Sequence, residues 1–212
     1  MKNVMIFGDS YSTFKGYIPD GYAIYYDGVN GTDLKDVSQT WWDIFVKGYG
    51  LNLVLNNSWS GSTVCYTGRQ NPEYARRSSF VNRMEELARD DFYNKNEIDT
   101  FFIFGGTNDS WLDATLPGEM KFEGIDDSDL YFTLPAICYL IARLKEERPN
   151  ARIISIINTE LDPKIAECFK AASLHYETEF VELCDIDKMS GHPTVKGMAQ
   201  IADQVSNYVK TH

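Results

Sequence analysis

The sequence predicts an α/β fold in which one parallel sheet of five strands lies between layers of helices. Short apolar runs recur at residues 3–7, 51–56, 100–104, 152–157 and 180–183. These runs are apolar almost throughout, as strands covered on both faces are. Segments with helical periodicity separate them, and this alternation is typical of a parallel sheet with crossover helices.

Helical periodicity predicts the elements between the strands. The predicted helices cover residues 40–47, 77–90, 134–147, 161–176 and 194–209. Thr40 is suited to cap the first of them, and Pro135 lies in the first turn of the third, where its missing N–H costs little. Because we find neither a repeat nor a linker, residues 1–212 are predicted to form a single domain.

Composition narrows the class of partner. A net charge of −11 disfavours nucleic acid and an anionic membrane surface, because both would repel the chain. The 4 cysteines (Cys65, Cys138, Cys168 and Cys184) form no CxxC pair, so a zinc site is not expected. The first residues enter a predicted strand without an apolar leader. We therefore expect a reduced, cytoplasmic protein, and its oligomeric state stays open.

Two predicted loops, residues 11–39 and 105–128, are too long to be simple turns. The first contains six aromatic residues: Tyr11, Phe14, Tyr17, Tyr22, Tyr25 and Tyr26. Disordered segments are poor in aromatic residues, so we favour an aromatic wall beside a functional site. The alternative is that these rings cover one edge of the sheet.

Polar clusters follow the predicted strands at the points where the strands end. They are Gly8-Asp9-Ser10 and residues 57–62, 105–109 and 185–193. Because the carboxyl ends of parallel strands share one edge, these clusters are expected to meet in one crevice.

A serine and a histidine in these clusters suggest nucleophilic chemistry. A serine hydroxyl needs an adjacent base at neutral pH. Of the 3 histidines, His212 is terminal and His175 lies in a predicted helix, which leaves His192. Ser10 is favoured as the nucleophile over Ser60 and Ser62, whose surroundings lack the strand-turn-helix context of a nucleophile elbow.

The same clusters offer hydrogen-bond donors for an oxyanion. These are the backbone N–H of Ser10, the N–H of Gly61 and the side-chain amide of Asn108. A carbonyl could approach Gly61 closely because it has no side chain.

Together, Gly8-Asp9-Ser10, Gly61, the 105–109 block and His192-Pro193 resemble the SGNH (GDSL-type) hydrolases, and in particular a bacterial subgroup of GDSL-like acylhydrolases. The resemblance extends over essentially the whole chain. It implies a flavodoxin-like three-layer α/β/α sandwich and hydrolysis of esters through an acyl-serine, without a metal or organic cofactor. It also implies Ser10 as the nucleophile, His192 as the base, and Gly61 and Asn108 as oxyanion donors.

The sequence departs from the family pattern at one position. The family carries an aspartate three residues before the histidine, and that position is Met189 here. We favour Asp187 as the group that orients His192. Asp185 or a backbone carbonyl are the alternatives.

The substrate is predicted from the residues around these clusters. Tyrosine and tryptophan rings suit sugar rings, so a short-chain, acetyl-like ester of a carbohydrate is the leading hypothesis. The residues predicted to contact this substrate are Asp9, Tyr11, Trp59, Asp109 and Trp111.

Other functions are less consistent with these motifs. Phosphoryl transfer predicts a GxxxxGK[ST] loop, which is absent. A flavin or nucleotide site after the first strand would place Asp9 against phosphate and would leave the His192 loop unexplained. A non-catalytic, carbohydrate-binding relic of the same fold is the main alternative, because Met189 could mark lost activity.

Overall fold

The computed structural model describes residues 1–112 and 116–212, and a five-stranded sheet lies at its centre. The strands are β1 (Asn3–Gly8), β2 (Asn52–Ser58), β3 (Thr100–Phe104), β4 (Arg152–Ile157) and β5 (Glu179–Glu182). All neighbours are parallel, in the order β2-β1-β3-β4-β5. The chain reverses its direction of travel across the sheet beside β1 and β3, where open α/β sheets form a ligand crevice.

Helices cover both faces of the sheet and complete the α/β/α sandwich predicted from the sequence. They are α1 (Trp41–Gly48), α2 (Pro72–Ser78), α3 (Phe80–Arg89), α4 (Phe92–Lys95), α5 (Thr107–Trp111), α6 (Thr133–Glu147), α7 (Pro163–His175) and α8 (Val195–Thr211). Single 3-10 turns cover Ser10–Ser12, Val37–Gln39 and Asp129–Tyr131. Among the described helices, none has the length and apolar character needed to cross a membrane.

A small antiparallel hairpin leads from the sheet into α8. It consists of β6 (Lys188–Met189) and β7 (His192–Pro193), with Met189 paired to His192. The hairpin follows β5, so it lies beyond the carboxyl edge of the sheet. It is the element that carries the predicted base.

The core divides into two layers because alternate residues of each strand point to opposite faces. Met5 and Phe7 of β1 belong to the cluster that contains α3, α6 and α7. Val4 and Ile6 belong to the cluster that contains α1 and α8. Each large apolar side chain buried in this way stabilises the fold by about 1.5–3 kcal/mol. The strand ends that carry the site are therefore fixed from both sides.

The predicted helix over residues 77–90 is two helices in the structure. Ser79 has an extended backbone, with φ −61° and ψ 151°, and this ends α2. Its hydroxyl then accepts a hydrogen bond from the Asn82 N–H at 3.1 Å and caps α3. The prediction was wrong here because a serine inside a helical pattern can cap a new helix.

The two long loops differ from simple connections. In residues 11–39, the rings of Tyr11, Phe14 and Tyr26 are buried in the core beside α1. Tyr17 keeps half of its surface exposed. Within residues 105–128, the structure forms α5, and residues 113–115 of this predicted loop lie outside the described part of the chain.

Candidate active site

Ser10 and His192 meet at the carboxyl edge of the sheet. Ser10 begins the 3-10 turn that follows β1, and His192 begins β7. The Ser10 Oγ lies 3.0 Å from the His192 Nε2, although 182 positions separate the two residues in the sequence. This distance is that of a hydrogen bond. The predicted nucleophile and the predicted base are therefore in direct contact.

The second ring nitrogen of His192 determines which tautomer this contact requires. The Nδ1 lies 3.2 Å from the Ser190 carbonyl oxygen. A carbonyl oxygen only accepts hydrogen bonds, so the neutral ring carries its proton on Nδ1. The Nε2 then has a free lone pair and accepts from the Ser10 hydroxyl. A histidine in this state can act as a general base towards serine.

The turn between β6 and β7 directs the imidazole towards Ser10. Ser190 and Gly191 have positive φ values of 50° and 78°, as the central residues of a type I′ hairpin turn require. The Tyr11 hydroxyl donates a hydrogen bond to the Gly191 carbonyl. The Tyr26 hydroxyl donates to the Pro193 carbonyl at 3.0 Å. Two buried tyrosines of the 11–39 loop therefore anchor the hairpin.

His192 is surrounded by aromatic rings. The Tyr25 ring stacks on the imidazole, with centroids 3.6 Å apart and an interplanar angle of 8°. The Trp111 ring lies at 5.8 Å and 70°. Burial lowers the pKa of His192, and the Lys188 and Arg69 cations act in the same direction. The ring is thus neutral at neutral pH, as a general base must be.

The predicted oxyanion donors lie on loops that are bonded to one another. Asn108 is buried and donates one amide N–H to the Ser62 carbonyl at 2.9 Å, in the loop that contains Gly61. An amide carries two N–H donors, so this bond leaves the second one available. Gly61 has a φ of 80°, a backbone conformation that residues with a side chain rarely adopt. These groups, with the Ser10 N–H, stay the predicted donors to an oxyanion.

A buried arginine links the loops of the site. The Arg83 Nη2 donates to the Gly8 carbonyl at 3.2 Å and to the Ser62 Oγ at 3.3 Å. Its Nη1 donates to the Asn57 carbonyl, and its Nε donates to the Ser78 carbonyl at 2.8 Å. Burial lowers the pKa of Arg83 to about 10, so the guanidinium stays protonated at neutral pH. One side chain therefore holds the ends of β1 and β2 in a fixed relation.

The structure gives Asp187 a different partner from the predicted one. Its carboxylate accepts a hydrogen bond from the Thr194 hydroxyl, whose oxygen caps α8. The His192 Nδ1 faces the Ser190 carbonyl instead. Met189 occupies the family's aspartate position, and its side chain is 44% exposed. The expectation that Asp187 orients His192 is therefore wrong. The alternative, a backbone carbonyl that orients the ring, matches the contact with Ser190.

The expected substrate contacts also need correction. Four of the predicted lining residues are buried and each forms at least one hydrogen bond within the chain: Asp9, Tyr11, Trp59 and Asp109. The Asp9 carboxylate accepts from the Tyr11 N–H at 3.0 Å, and the Trp59 indole N–H donates to the Tyr74 hydroxyl at 2.9 Å. The Asp109 carboxylate accepts from the Val64 N–H at 2.9 Å. These four residues support the loops. Trp111, at 40% exposed, stays a predicted substrate contact.

Two of these buried residues are carboxylic acids next to predicted site residues. Burial raises the pKa of Asp9 to about 7 and that of Asp109 to about 6, and the charge of Asp109 adds to the shift of Asp9. Burial therefore reduces the negative charge that Asp9 carries beside Ser10 at neutral pH. Within the described residues, no three His, Cys, Asp or Glu side chains form a group that could hold a metal ion.

A comparison with protein families agrees with this geometry. The sequence profile of the GDSL-like lipase/acylhydrolase family matches residues 2–209. The chain belongs to this family. The resemblance predicted from Gly8-Asp9-Ser10, Gly61, the 105–109 block and His192-Pro193 is therefore confirmed. A search of curated proteins finds no match.

Solved structures share the family's fold with this chain. A protein named a GDSL-like lipase from Bacteroides ovatus is 40% identical, with a TM-score of 0.90, over 100% of this chain and 99% of that one. A second one, from Bacteroides uniformis, is 41% identical, with a TM-score of 0.88, over 100% and 96% of the two chains. An acetyl xylan esterase from Butyrivibrio proteoclasticus is 17% identical, with a TM-score of 0.63, over 99% of this chain and 64% of that one. At this identity, the third match shows the fold alone.

Sequence reasoning missed Arg83 as a residue of the site, and it did not single out Tyr25 among the aromatic residues of the 11–39 loop. Arg83 lies three residues after Phe80 on the apolar stripe of α3, and a charged residue on a buried stripe is a usable signal. Tyr25 is one of six aromatic residues in a single loop, and nothing in the sequence distinguishes it from the others. Its contact with His192 depends on the loop conformation.

Proposed function

We propose that this protein is a serine esterase that removes short acyl groups, acetyl foremost, from carbohydrate alcohols through an acyl-serine intermediate. The observation that carries the proposal is the 3.0 Å contact between the Ser10 Oγ and the His192 Nε2. The Nδ1–H tautomer supports it, because it leaves the Nε2 able to accept a proton. Membership of the GDSL-like lipase/acylhydrolase family supports an acyl ester as the bond that is cleaved.

The proposed reaction uses only groups of the chain and water. His192 takes the Ser10 proton on Nε2 while the Oγ attacks the ester carbonyl carbon. The oxyanion is stabilised by the N–H groups of Ser10, Gly61 and Asn108. The C–O bond to the alcohol then breaks, and the alcohol leaves with the proton from Nε2. Water repeats the sequence on the acyl-serine and releases the carboxylic acid.

The burial of the reacting residues favours a small acyl group. Ser10 and Asn108 are each 3% exposed, so little of either side chain is open to a substrate. A long acyl chain needs a large apolar cleft next to the nucleophile. An acetyl group needs little space beyond the carbonyl itself.

The rim of the site is suited to a sugar alcohol. Trp111 is partly exposed, and its ring packs against the Ser190-Gly191 turn that carries His192. A flat indole surface stacks well on the apolar face of a sugar ring. Among the proteins with this fold, one is named an acetyl xylan esterase and another a family two carbohydrate esterase from Clostridium thermocellum.

A series of p-nitrophenyl esters and acetylated xylo-oligosaccharides tests this proposal. We expect the highest kcat/KM for acetyl esters, with a fall as the acyl chain grows, because only 3% of Ser10 is exposed. The wild-type protein is compared with Ser10→Ala as the background. A preference for acyl chains of about eight carbons or more would contradict the proposed substrate. Glycan binding without turnover would indicate the non-catalytic relic instead.

Asp187→Asn and Asp185→Asn are both expected to keep kcat within about threefold of the wild type, as substitutions away from reacting groups usually do. The reason is that the Asp187 carboxylate binds Thr194, and the Asp185 side chain is exposed. The measurement is the initial rate with p-nitrophenyl acetate. By contrast, changing a triad carboxylate to its amide lowers kcat by about 10⁴-fold. A loss of that size in Asp187→Asn alone would return Asp187 to the site.

A further inference from the structure

Among the residues that the structure describes, no carboxylate lies beside the Nδ1 of the imidazolium that forms during the proposed reaction. The Ser190 carbonyl accepts that N–H, and the charged groups that act on the ring are Lys188 of β6 and Arg69 of the loop after β2. Both are cations, and a positive neighbour opposes protonation of the ring. Within the described part of the chain, stabilisation of the imidazolium therefore falls to groups other than a carboxylate.

The Tyr25 ring lies face to face with the imidazole. Its centroid is 3.6 Å from that of His192, and the planes are 8° apart. Trp111 and Tyr26 meet the imidazole at 70° and 78°, and Tyr11 meets it at 55°. Among the rings that the structure describes around His192, Tyr25 alone presents its face in parallel.

The backbone and the neighbouring residues hold Tyr25 in this position. Its N–H donates to the Thr13 Oγ1 at 2.9 Å, three residues after Ser10. Its ring packs edge to face against Tyr26, with centroids 4.8 Å apart. A Cβ on Gly31 would lie 3.4 Å from the Tyr25 ring, so the turn around Gly31 also limits the ring. The stack is thus built by the same loop that anchors the His192 hairpin.

We propose that Tyr25 is a positioning residue that stabilises the His192 imidazolium through its π face. The face of an aromatic ring carries partial negative charge and attracts a cation within about 6 Å of its centroid. The parallel stack also fixes the plane of the imidazole ring. The Ser190 carbonyl contacts only the Nδ1 atom and so does not fix that plane by itself. This role rests on the proposed esterase function.

Two variants distinguish the electrostatic effect of the π face from simple shielding of the imidazole by an apolar side chain. Tyr25→Leu keeps an apolar group over the imidazole but removes the aromatic face. Tyr25→Phe keeps the apolar group and the aromatic face, and it is the matched control. In each variant, a ¹⁵N NMR titration measures the pKa of His192, with the signals of His175 and His212 as internal references, and steady-state kinetics with p-nitrophenyl acetate measure kcat and KM. Circular dichroism and thermal unfolding establish that the variants are folded.

We expect Tyr25→Leu to raise the acid dissociation constant of the His192 imidazolium by about 3- to 30-fold, which moves the pKa of His192 to lower pH. The kcat is expected to fall by a similar factor with little change in KM, and Tyr25→Phe to stay close to the wild type. Equal pKa values for His192 in the Leu and Phe variants, or a higher value in Tyr25→Leu, would overturn the proposal. A wild-type protein that hydrolyses no ester would refute the proposed function, whereas the NMR titration would still decide the role of Tyr25.

Discussion

Replacing Ser10 with alanine is expected to lower kcat for p-nitrophenyl acetate by about 10⁴-fold or more, the scale seen when a catalytic serine is removed. The physical reason is that, among the described residues, Ser10 supplies the hydroxyl that contacts the His192 Nε2, at 3.0 Å. Without the Oγ there is no nucleophile to form the acyl intermediate. Initial rates over a range of substrate concentrations measure the loss.

Ser60→Ala is the matched control for this substitution. Ser60 was a rival nucleophile in the sequence, and its N–H donates to the Ala23 carbonyl at 2.8 Å, an interaction that alanine keeps. We expect this variant to hydrolyse the ester at close to the wild-type rate. The opposite pattern, with activity lost in Ser60→Ala and kept in Ser10→Ala, would show that the wrong serine has been chosen.

Arg83→Met is expected to lower the free energy of unfolding by about 3 kcal/mol and the Tm by about 6–12 °C. The substitution removes every hydrogen bond that the guanidinium donates and leaves the buried carbonyls of Gly8, Asn57 and Ser78 without it. The Gly8 carbonyl keeps the hydrogen bond from the Trp59 N–H at 3.1 Å, so the expected loss comes mainly from the other acceptors. An unsatisfied buried acceptor costs about 1–3 kcal/mol, which outweighs the relief from no longer burying a charge. Urea unfolding and calorimetry measure the change.

Arg83→Lys is the comparison for this prediction. Lysine keeps the positive charge but cannot reproduce the planar fork, so it reaches fewer of the same acceptors. We expect its stability to lie between those of Arg83→Met and the wild type, and kcat to fall in both variants because the ends of β1 and β2 lose their common anchor. A methionine variant as stable as the wild type would show that the charge contributes nothing to the fold.

The strands were predictable because the physical signal is local. Residues 100–104 and 152–157 are continuous apolar runs with clear ends, and the structure places β3 and β4 at the same bounds. The meeting of Ser10 and His192 was also predictable, since parallel strands bring their carboxyl ends to one edge. Both inferences use the residue types and the strand order alone.

The partner of the His192 Nδ1 was not predictable in the same way. A backbone carbonyl carries no sequence signal, and its position depends on the positive φ of Ser190 and Gly191. Asp187 was the reasonable candidate from spacing, but the hairpin directs its carboxylate to Thr194. The buried Trp59 and Tyr11 were misjudged for a related reason. An aromatic residue near a site has the same sequence signal whether it contacts the ligand or the core.

The most direct test of the account is mass spectrometry of the protein after incubation with a fluorophosphonate, which traps a serine that a histidine activates. We predict one adduct per chain, located on the peptide that carries Ser10, with no adduct in Ser10→Ala and much slower labelling in His192→Gln. An unlabelled wild-type protein, or an adduct on Ser60 or Ser62, would contradict the assignment of Ser10 and His192 as the reacting pair.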